Sequence, residues 1–117
     1  MRVGTDIVKI ERIEKSLKSP AFLNRVYSEE ERALILEKGA SSAAANFAAK
    51  EAFSKALGSG VRGFSLSEIS VLRDEMGKPY FSLSGKAAEK AEGLKFDVSL
   101  AHEKEYAIAF VIAWEEK

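Results

Sequence analysis

The stretch that most constrains the fold is residues 46–60, which read NFAAKEAFSKALGSG. Five apolar residues recur there at the three- and four-residue spacing of a buried helical stripe: Ala49, Ala52, Phe53, Ala56 and Leu57. Ser41 or Ser42 is a candidate N-cap, residues 40–45 are expected to be a linker with a first turn, and Gly58 is a candidate stop. The pattern predicts a central helix of about four turns.

An acidic residue interrupts this apolar helix. Glu51 has Phe47 four residues before it and Lys55 four residues after it, with alanines close by. The simplest interpretation is a surface pair between Glu51 and Lys55, which stabilises a helix by only about 0.2–0.5 kcal/mol. An acid in such apolar surroundings otherwise requires a partner elsewhere in the fold.

The chain opens with a short strand-like segment, residues 2–8, which places Asp6 on the face opposite Val3 and Ile7. Gly4 lies on the same face as Asp6, so the backbone could approach a ligand there. The carboxylate of Asp6 would then point into the same space.

The rest of the chain predicts short helices followed by strands. Ser19 before a proline and the capping box that begins at Ser28 each indicate a helix start. Four strand-like segments follow the central helix: residues 69–72, 80–83, 96–102 and 106–114. The last is apolar on both faces, so either a helix or another subunit covers each side. The prediction is α+β: one domain, residues 1–117, with a small, mostly antiparallel sheet packed on the long central helix.

Composition narrows the function classes. The 117 residues are 46% hydrophobic and 31% charged, which suits one compact domain. Eighteen basic and eighteen acidic side chains cancel, so no global field favours nucleic acid. There is no cysteine, no apolar run of membrane-spanning length and no signal-peptide pattern at the start. We therefore expect a cytoplasmic protein that binds neither nucleic acid nor membrane.

Two carboxylates are the best candidates for a functional pair. If the sheet packs on the central helix, Asp6 and Glu51 could converge, and two carboxylates suit a hard cation such as Mg²⁺. Mg²⁺ completes its coordination with water and substrate phosphates, which indicates phosphate chemistry. One histidine and no cysteine cannot supply the usual zinc ligands, and no phosphate-loop or dinucleotide motif is present.

Four segments, in order, carry a resemblance to a known family: GTDIVKIERIEK, FAAKEAFSKALGSG, VLRDEMGKPYF and VSLAHEKEYAIAFVI. They resemble the holo-[acyl-carrier-protein] synthases, the small 4′-phosphopantetheinyl transferases, over nearly the whole chain. The resemblance implies the fold of that family. It also implies transfer of the 4′-phosphopantetheine arm of coenzyme A to a serine of apo acyl carrier protein, with release of adenosine 3′,5′-bisphosphate, for fatty acid biosynthesis.

The resemblance also implies roles for particular residues. Asp6 and Glu51 would hold Mg²⁺ at the coenzyme A pyrophosphate, and Lys55 would stabilise the developing charge. The serine proton could pass to Glu51, to a metal-bound water or to another water. Four residues would contact the phosphoadenosine end: His102, Gly77, Lys78 and Pro79. Three would dock the acidic carrier: Arg12, Phe22 and Arg25. The family is generally a homotrimer with sites between subunits.

Three positions depart from the family pattern. Asn46 stands where an arginine that contacts phosphate is common, and Ala101 and Glu103 flank His102 where hydroxyl residues are common. Two alternatives therefore stay open. One is a non-catalytic oligomer of the same fold, and the other is a transferase that serves a polyketide-type carrier protein.

Overall fold

Two antiparallel sheets and one long helix form the framework of the computed structural model, which describes residues 1–116. The helices are α1 (Ile10–Ser16), α2 (Pro20–Val26), α3 (Glu29–Lys38), α4 (Ala40–Leu57) and α5 (Gly85–Lys90). The strands are β1 (Arg2–Lys9), β2 (Ile69–Arg73), β3 (Pro79–Leu83), β4 (Leu94–His102) and β5 (Tyr106–Glu115). The predicted α+β class is confirmed.

Helix α4 begins two or three residues earlier than predicted. Its N-cap is Gly39, at φ 89°, so the predicted cap at Ser41 or Ser42 is wrong, and residues 40–45 are helical throughout instead of a linker with a first turn. The small residues there continue the helix because they pack without steric cost, and the Tyr27 hydroxyl donates a 2.8 Å hydrogen bond to the Ala43 carbonyl. At the other end Gly58 adopts φ 84° and stops the helix, as predicted.

The caps predicted for the two preceding helices are confirmed. The Ser19 hydroxyl accepts a hydrogen bond from the Phe22 amide at the start of α2. At the start of α3, Ser28 and Glu31 form a reciprocal capping box. Glu31 has a second role in the core.

The larger sheet has the strand order β1-β5-β4 and lies on α4. Alternate residues of β5 are buried against that helix: Ala107, Ala109, Val111 and Ala113. The opposite face of the strand is covered by nothing in residues 1–116, and Ile108 and Phe110 are exposed there. Helix α4 therefore covers one face of β5 and leaves the other face exposed.

Gly4 allows β1 to touch the α4 backbone. A Cβ atom on Gly4 would lie 2.0 Å from the Ala52 carbonyl oxygen and 2.8 Å from the Ala56 nitrogen. The expectation that Gly4 admits a ligand is therefore wrong, because the helix backbone occupies that space. This close approach brings Asp6, two residues further along β1, to the side of α4.

The smaller sheet is the predicted β2–β3 hairpin, and it packs on α4 beside the larger sheet through aromatic rings. The Phe53 ring stacks on Phe96 of β4 with centroids 4.6 Å apart and meets Phe81 of β3 edge-on at 5.2 Å. The two sheets and helices α1 and α3 all contact α4, which explains why it carries so little polar surface.

A buried ion pair joins α3 to α4. The Lys50 ammonium lies 2.6 Å from Glu31 Oε1, and both side chains are fully buried. Lys50 also donates to the carbonyls of Leu66 and Ile69, which uses all three of its protons. Burial lowers the pKa of Lys50 to about 8, an effect that the charge of Glu31 partly offsets.

The other oxygen of Glu31 extends the network to β2. Glu31 Oε2 accepts hydrogen bonds from the Asn46 amide at 3.0 Å and from the Val71 backbone N–H at 3.2 Å. The carboxylate thereby links three elements whose sequence positions are far apart, and every polar atom in it is paired.

We expect Lys50→Met to lower the free energy of unfolding by about 3–5 kcal/mol, because it leaves the Glu31 charge buried without its cation. The measurement is chemical denaturation followed by circular dichroism. Lys95→Met is the matched control, since Lys95 forms an exposed pair with Glu116 at 3.4 Å and should lose less than about 1 kcal/mol. Equal destabilisation by the two substitutions would contradict the assignment.

Candidate active site

Strand β1 and helix α4 bring three of the predicted site residues together. Lys55 Nζ lies 3.3 Å from Asp6 Oδ1 and donates to the Thr5 carbonyl at 2.9 Å. The partner of Lys55 is therefore Asp6, across the fold, and the simple surface pair between Lys55 and Glu51 is not formed. The ammonium group remains half exposed, so it can also reach a ligand.

Glu51 lies close enough to Asp6 for their charges to interact. Partial burial raises the pKa of Glu51, and repulsion from the Asp6 carboxylate raises it further, while Lys55 and Arg12 act in the opposite direction. A divalent cation between these two half-buried carboxylates would offset their mutual repulsion. No group of three or more histidine, cysteine or acidic side chains in residues 1–116 is arranged so that it could hold a metal ion. The donor set thus suits Mg²⁺, which binds through one or two carboxylates, better than a metal that needs a full protein cage.

The predicted carrier-docking residues form one surface patch. Phe22 of α2 stacks on Phe47 of α4 with ring centroids 6.2 Å apart. Arg12 lies over the Phe47 ring at 5.6 Å, and Arg25 lies over the Phe22 ring at 5.8 Å. The patch therefore presents two guanidinium groups on a pair of stacked rings, and Arg12 is also within electrostatic range of Glu51.

The predicted coenzyme A contacts are not brought together. His102 is exposed at the end of β4, whereas Lys78 in the hairpin turn forms a 2.7 Å ion pair with Asp97 near the start of that strand. Five residues of extended strand separate His102 from Asp97, or about 17 Å. Alternation along β4 also puts Asp97 on the outer face and His102 on the helix side. Lys78 and His102 therefore lie on opposite faces of the sheet, although the cavity beside Lys78 and Pro79 extends to Leu100, two residues before His102.

Gly77 and Pro79 are placed with Lys78 in this turn. Gly77 adopts φ 83°. Its N–H donates to the Asp74 carbonyl, and the Lys78 N–H donates to the Asp74 carboxylate. Lys78 and Pro79 line a cavity of about 370 Å³ on the outer face of the larger sheet, with Phe110 and Ile112 on its floor. The turn thus faces the surface of the sheet that no element of residues 1–116 covers.

Sequence reasoning missed the polar residues around the α4 core. Lys50 stands among alanines, which should have indicated a buried role, but its partner Glu31 was recognised only as a capping residue. Phe47 was noted only as a neighbour of Glu51, although its aromatic ring supports Arg12. No local pattern distinguishes Arg73, which donates to Asn46 from the end of β2.

Known proteins resemble this chain over most of its length. The model of the 4′-phosphopantetheinyl transferase superfamily matches residues 2–111. A holo-[acyl-carrier-protein] synthase of Clostridium botulinum is 49% identical over 115 residues, with 94% of each chain covered.

Two solved structures share the fold. One is the Helicobacter pylori holo-[acyl-carrier-protein] synthase in complex with coenzyme A, with a TM-score of 0.85 and 36% identity over 96% of this chain and 99% of that one. The other is the Neisseria meningitidis synthase, with a TM-score of 0.89 and 35% identity over 97% of this chain and 98% of that one.

The chain belongs to the 4′-phosphopantetheinyl transferase superfamily. Within it the curated relatives are holo-[acyl-carrier-protein] synthases, so the predicted family and enzyme class are confirmed. No helix in residues 1–116 is both long and apolar enough to cross a bilayer.

We expect Asp6→Asn to lower the pKa of Glu51 in the metal-free protein, because it removes the neighbouring negative charge. Site-resolved NMR titration of the Glu51 carboxyl measures this directly. Asp97→Asn, which removes a carboxylate that pairs with Lys78 instead, should leave the Glu51 titration unchanged. An unchanged Glu51 pKa in Asp6→Asn would show that the two carboxylates do not converge.

Proposed function

We propose that this chain, acting as one domain over residues 1–117, transfers 4′-phosphopantetheine from coenzyme A to a serine of apo acyl carrier protein in a Mg²⁺-dependent reaction. The observation that carries the proposal is the grouping of Asp6, Glu51 and Lys55 where β1 meets α4. In phosphoryl transfer assisted by a divalent cation, carboxylates hold the cation and a lysine stabilises the negative charge of the phosphate. The product would be adenosine 3′,5′-bisphosphate.

Each of the three residues has a part in this mechanism. Asp6 and Glu51 would hold Mg²⁺, which supplies charge neutralisation at the pyrophosphate oxygens when bound. Lys55 is held by Asp6 and by the Thr5 carbonyl, so its ammonium would lie beside the same phosphate oxygens. The proton of the attacking serine passes to Glu51 or to a water beside it.

The proposal predicts that Mg²⁺, coenzyme A and apo carrier protein together increase the mass of the carrier by one phosphopantetheine. Intact-protein mass spectrometry measures this. Glu51→Gln keeps the size of the side chain but removes a charge from the metal position, so turnover at limiting Mg²⁺ should fall at least about a hundredfold.

Glu92→Gln is the control for that substitution, because Glu92 is an exposed acid in the turn after α5 and should transfer at the wild-type rate. Absence of any mass increase with several apo carriers would refute the transferase function. Full activity of Glu51→Gln at limiting Mg²⁺ would refute only the assignment of the ligand.

We further propose a homotrimer with each active site shared between subunits. The outer face of the β1-β5-β4 sheet carries a continuous exposed apolar surface: Val3, Ile7, Tyr106, Ile108, Phe110 and Trp114. Burial of this surface by a second copy would stabilise the assembly. A neighbouring subunit would also supply a hairpin turn on the face of the sheet where His102 lies, because one chain holds its own turn beside the outer face.

We expect Phe110→Lys to dissociate the assembly, because it places a charge in the centre of the apolar face. Analytical ultracentrifugation should then give the mass of one chain instead of three, and coenzyme A binding should be lost with it. Leu36→Lys is the control, since Leu36 is 91% exposed on α3 and not on that sheet. A monomeric wild-type protein that binds coenzyme A would overturn the shared site.

For the carrier partner we propose docking on the patch formed by Arg12, Phe22 and Arg25, because its paired guanidinium groups suit an acidic protein. A role in fatty acid biosynthesis stays a prediction of the resemblance, and a cytoplasmic location stays a prediction from the composition. A polyketide-type carrier is the alternative occupant of the same patch.

A further inference from the structure

The half-buried guanidinium of Arg73, at the end of β2, has no anionic partner. Arg73 Nη2 donates to Asn46 Oδ1 at 2.8 Å, and Nη1 makes longer contacts of 3.4 Å with the carbonyls of Val71 and Leu72. All three acceptors are neutral. Arg73 forms no salt bridge within residues 1–116, although a guanidinium stays charged in every protein environment.

The nearby carboxylate is already neutralised. Glu31 is in contact with Lys50 at 2.6 Å and accepts from Asn46 and Val71 with its other oxygen. The cluster of Glu31, Lys50 and Arg73 therefore has one positive charge in excess. Partial burial of a positive charge among neutral partners costs free energy unless an anion binds to it.

Asn46 positions this cation and has no free group of its own. It is fully buried, its amide nitrogen donates to Glu31 Oε2 and to the Val71 carbonyl, and its oxygen accepts from Arg73. An anion at this place therefore meets the guanidinium of Arg73, with Asn46 behind it.

Arg73 lies at the same end of the larger sheet as His102. Strand β1 and helix α4 run in opposite directions, so later residues of the first part of the chain contact earlier residues of α4. Gly4 meets Ala52 and Ala56, and Arg12, which follows β1, meets Phe47 next to Asn46. The end of β1 is also where His102 lies, because both Val8 and His102 pair with Ala107.

Resting on the proposed function, we propose that Arg73 binds the 3′-phosphate of coenzyme A and that Asn46 positions it for this contact. The charges that act on Glu51 come from Asp6, Lys55 and Arg12, so Arg73 stands apart from the group assigned to the pyrophosphate. The 3′-phosphate is the remaining anion of this substrate. A planar guanidinium fork also matches the oxygens of a phosphate monoester.

The test is isothermal titration of coenzyme A and of 3′-dephospho-coenzyme A into the full chain with Mg²⁺. Arg73→Gln should weaken coenzyme A binding about tenfold or more and leave 3′-dephospho-coenzyme A binding unchanged within about twofold. Arg73→Lys should lose less, because it keeps the charge but not the fork. Arg32→Gln is the matched control, since Arg32 contacts Asn24 on the outside of α3, and it should change neither affinity.

Asn46→Ala should reproduce part of the loss for coenzyme A alone, with thermal unfolding recorded to confirm that it folds. Equal weakening of both ligands by Arg73→Gln, or no weakening of either, would overturn the inference. The proposed function can fail separately from this inference. If the wild-type protein prefers coenzyme A to its 3′-dephospho form but transfers nothing to apo carriers, the assignment of Arg73 holds and the transferase function is refuted.

Discussion

The ion pair between Glu31 and Lys50 is the contact on which the arrangement of the site depends. It lies where α3, α4 and β2 meet, and its two side chains satisfy each other and the backbone around them without water. Because separation of the two partners would leave a buried charge unpaired, the pair disfavours any packing of these elements that parts them. Lys50 immediately precedes Glu51, so the rotation of α4 that buries one presents the other to β1.

The proposed site follows from two close approaches of other elements to α4. Gly4 lets β1 touch the helix backbone, which brings Asp6 to Glu51 and Lys55. On the neighbouring side Phe47 supports Arg12 and stacks on Phe22, so the surface proposed for the carrier adjoins the surface proposed for the metal. A carrier docked on the arginines would therefore present its serine beside the phosphates without a large movement of the enzyme.

One copy of the chain supplies only part of the proposed coenzyme A site. His102 and the turn at Lys78 lie on opposite faces of the sheet, while the apolar outer face remains exposed. Asn46, which departs from the family pattern, accepts a hydrogen bond from Arg73 on another element. The site proposed for the 3′-phosphate therefore has a cation from β2 beside Asn46, which carries no charge of its own.

Local chemistry determined much of what the sequence alone could predict. Caps at Ser19 and Ser28, the stop at Gly58 and the hairpin depend on neighbours in sequence or on simple periodicity, and the α+β class followed from them. Tertiary structure alone decided the early start of α4, the helix contact at Gly4, the partner of Lys55 and the network that joins Glu31, Asn46, Lys50 and Arg73. These features depend on which surfaces meet after folding, and a buried polar group reveals its role only through a partner that lies far away in the chain.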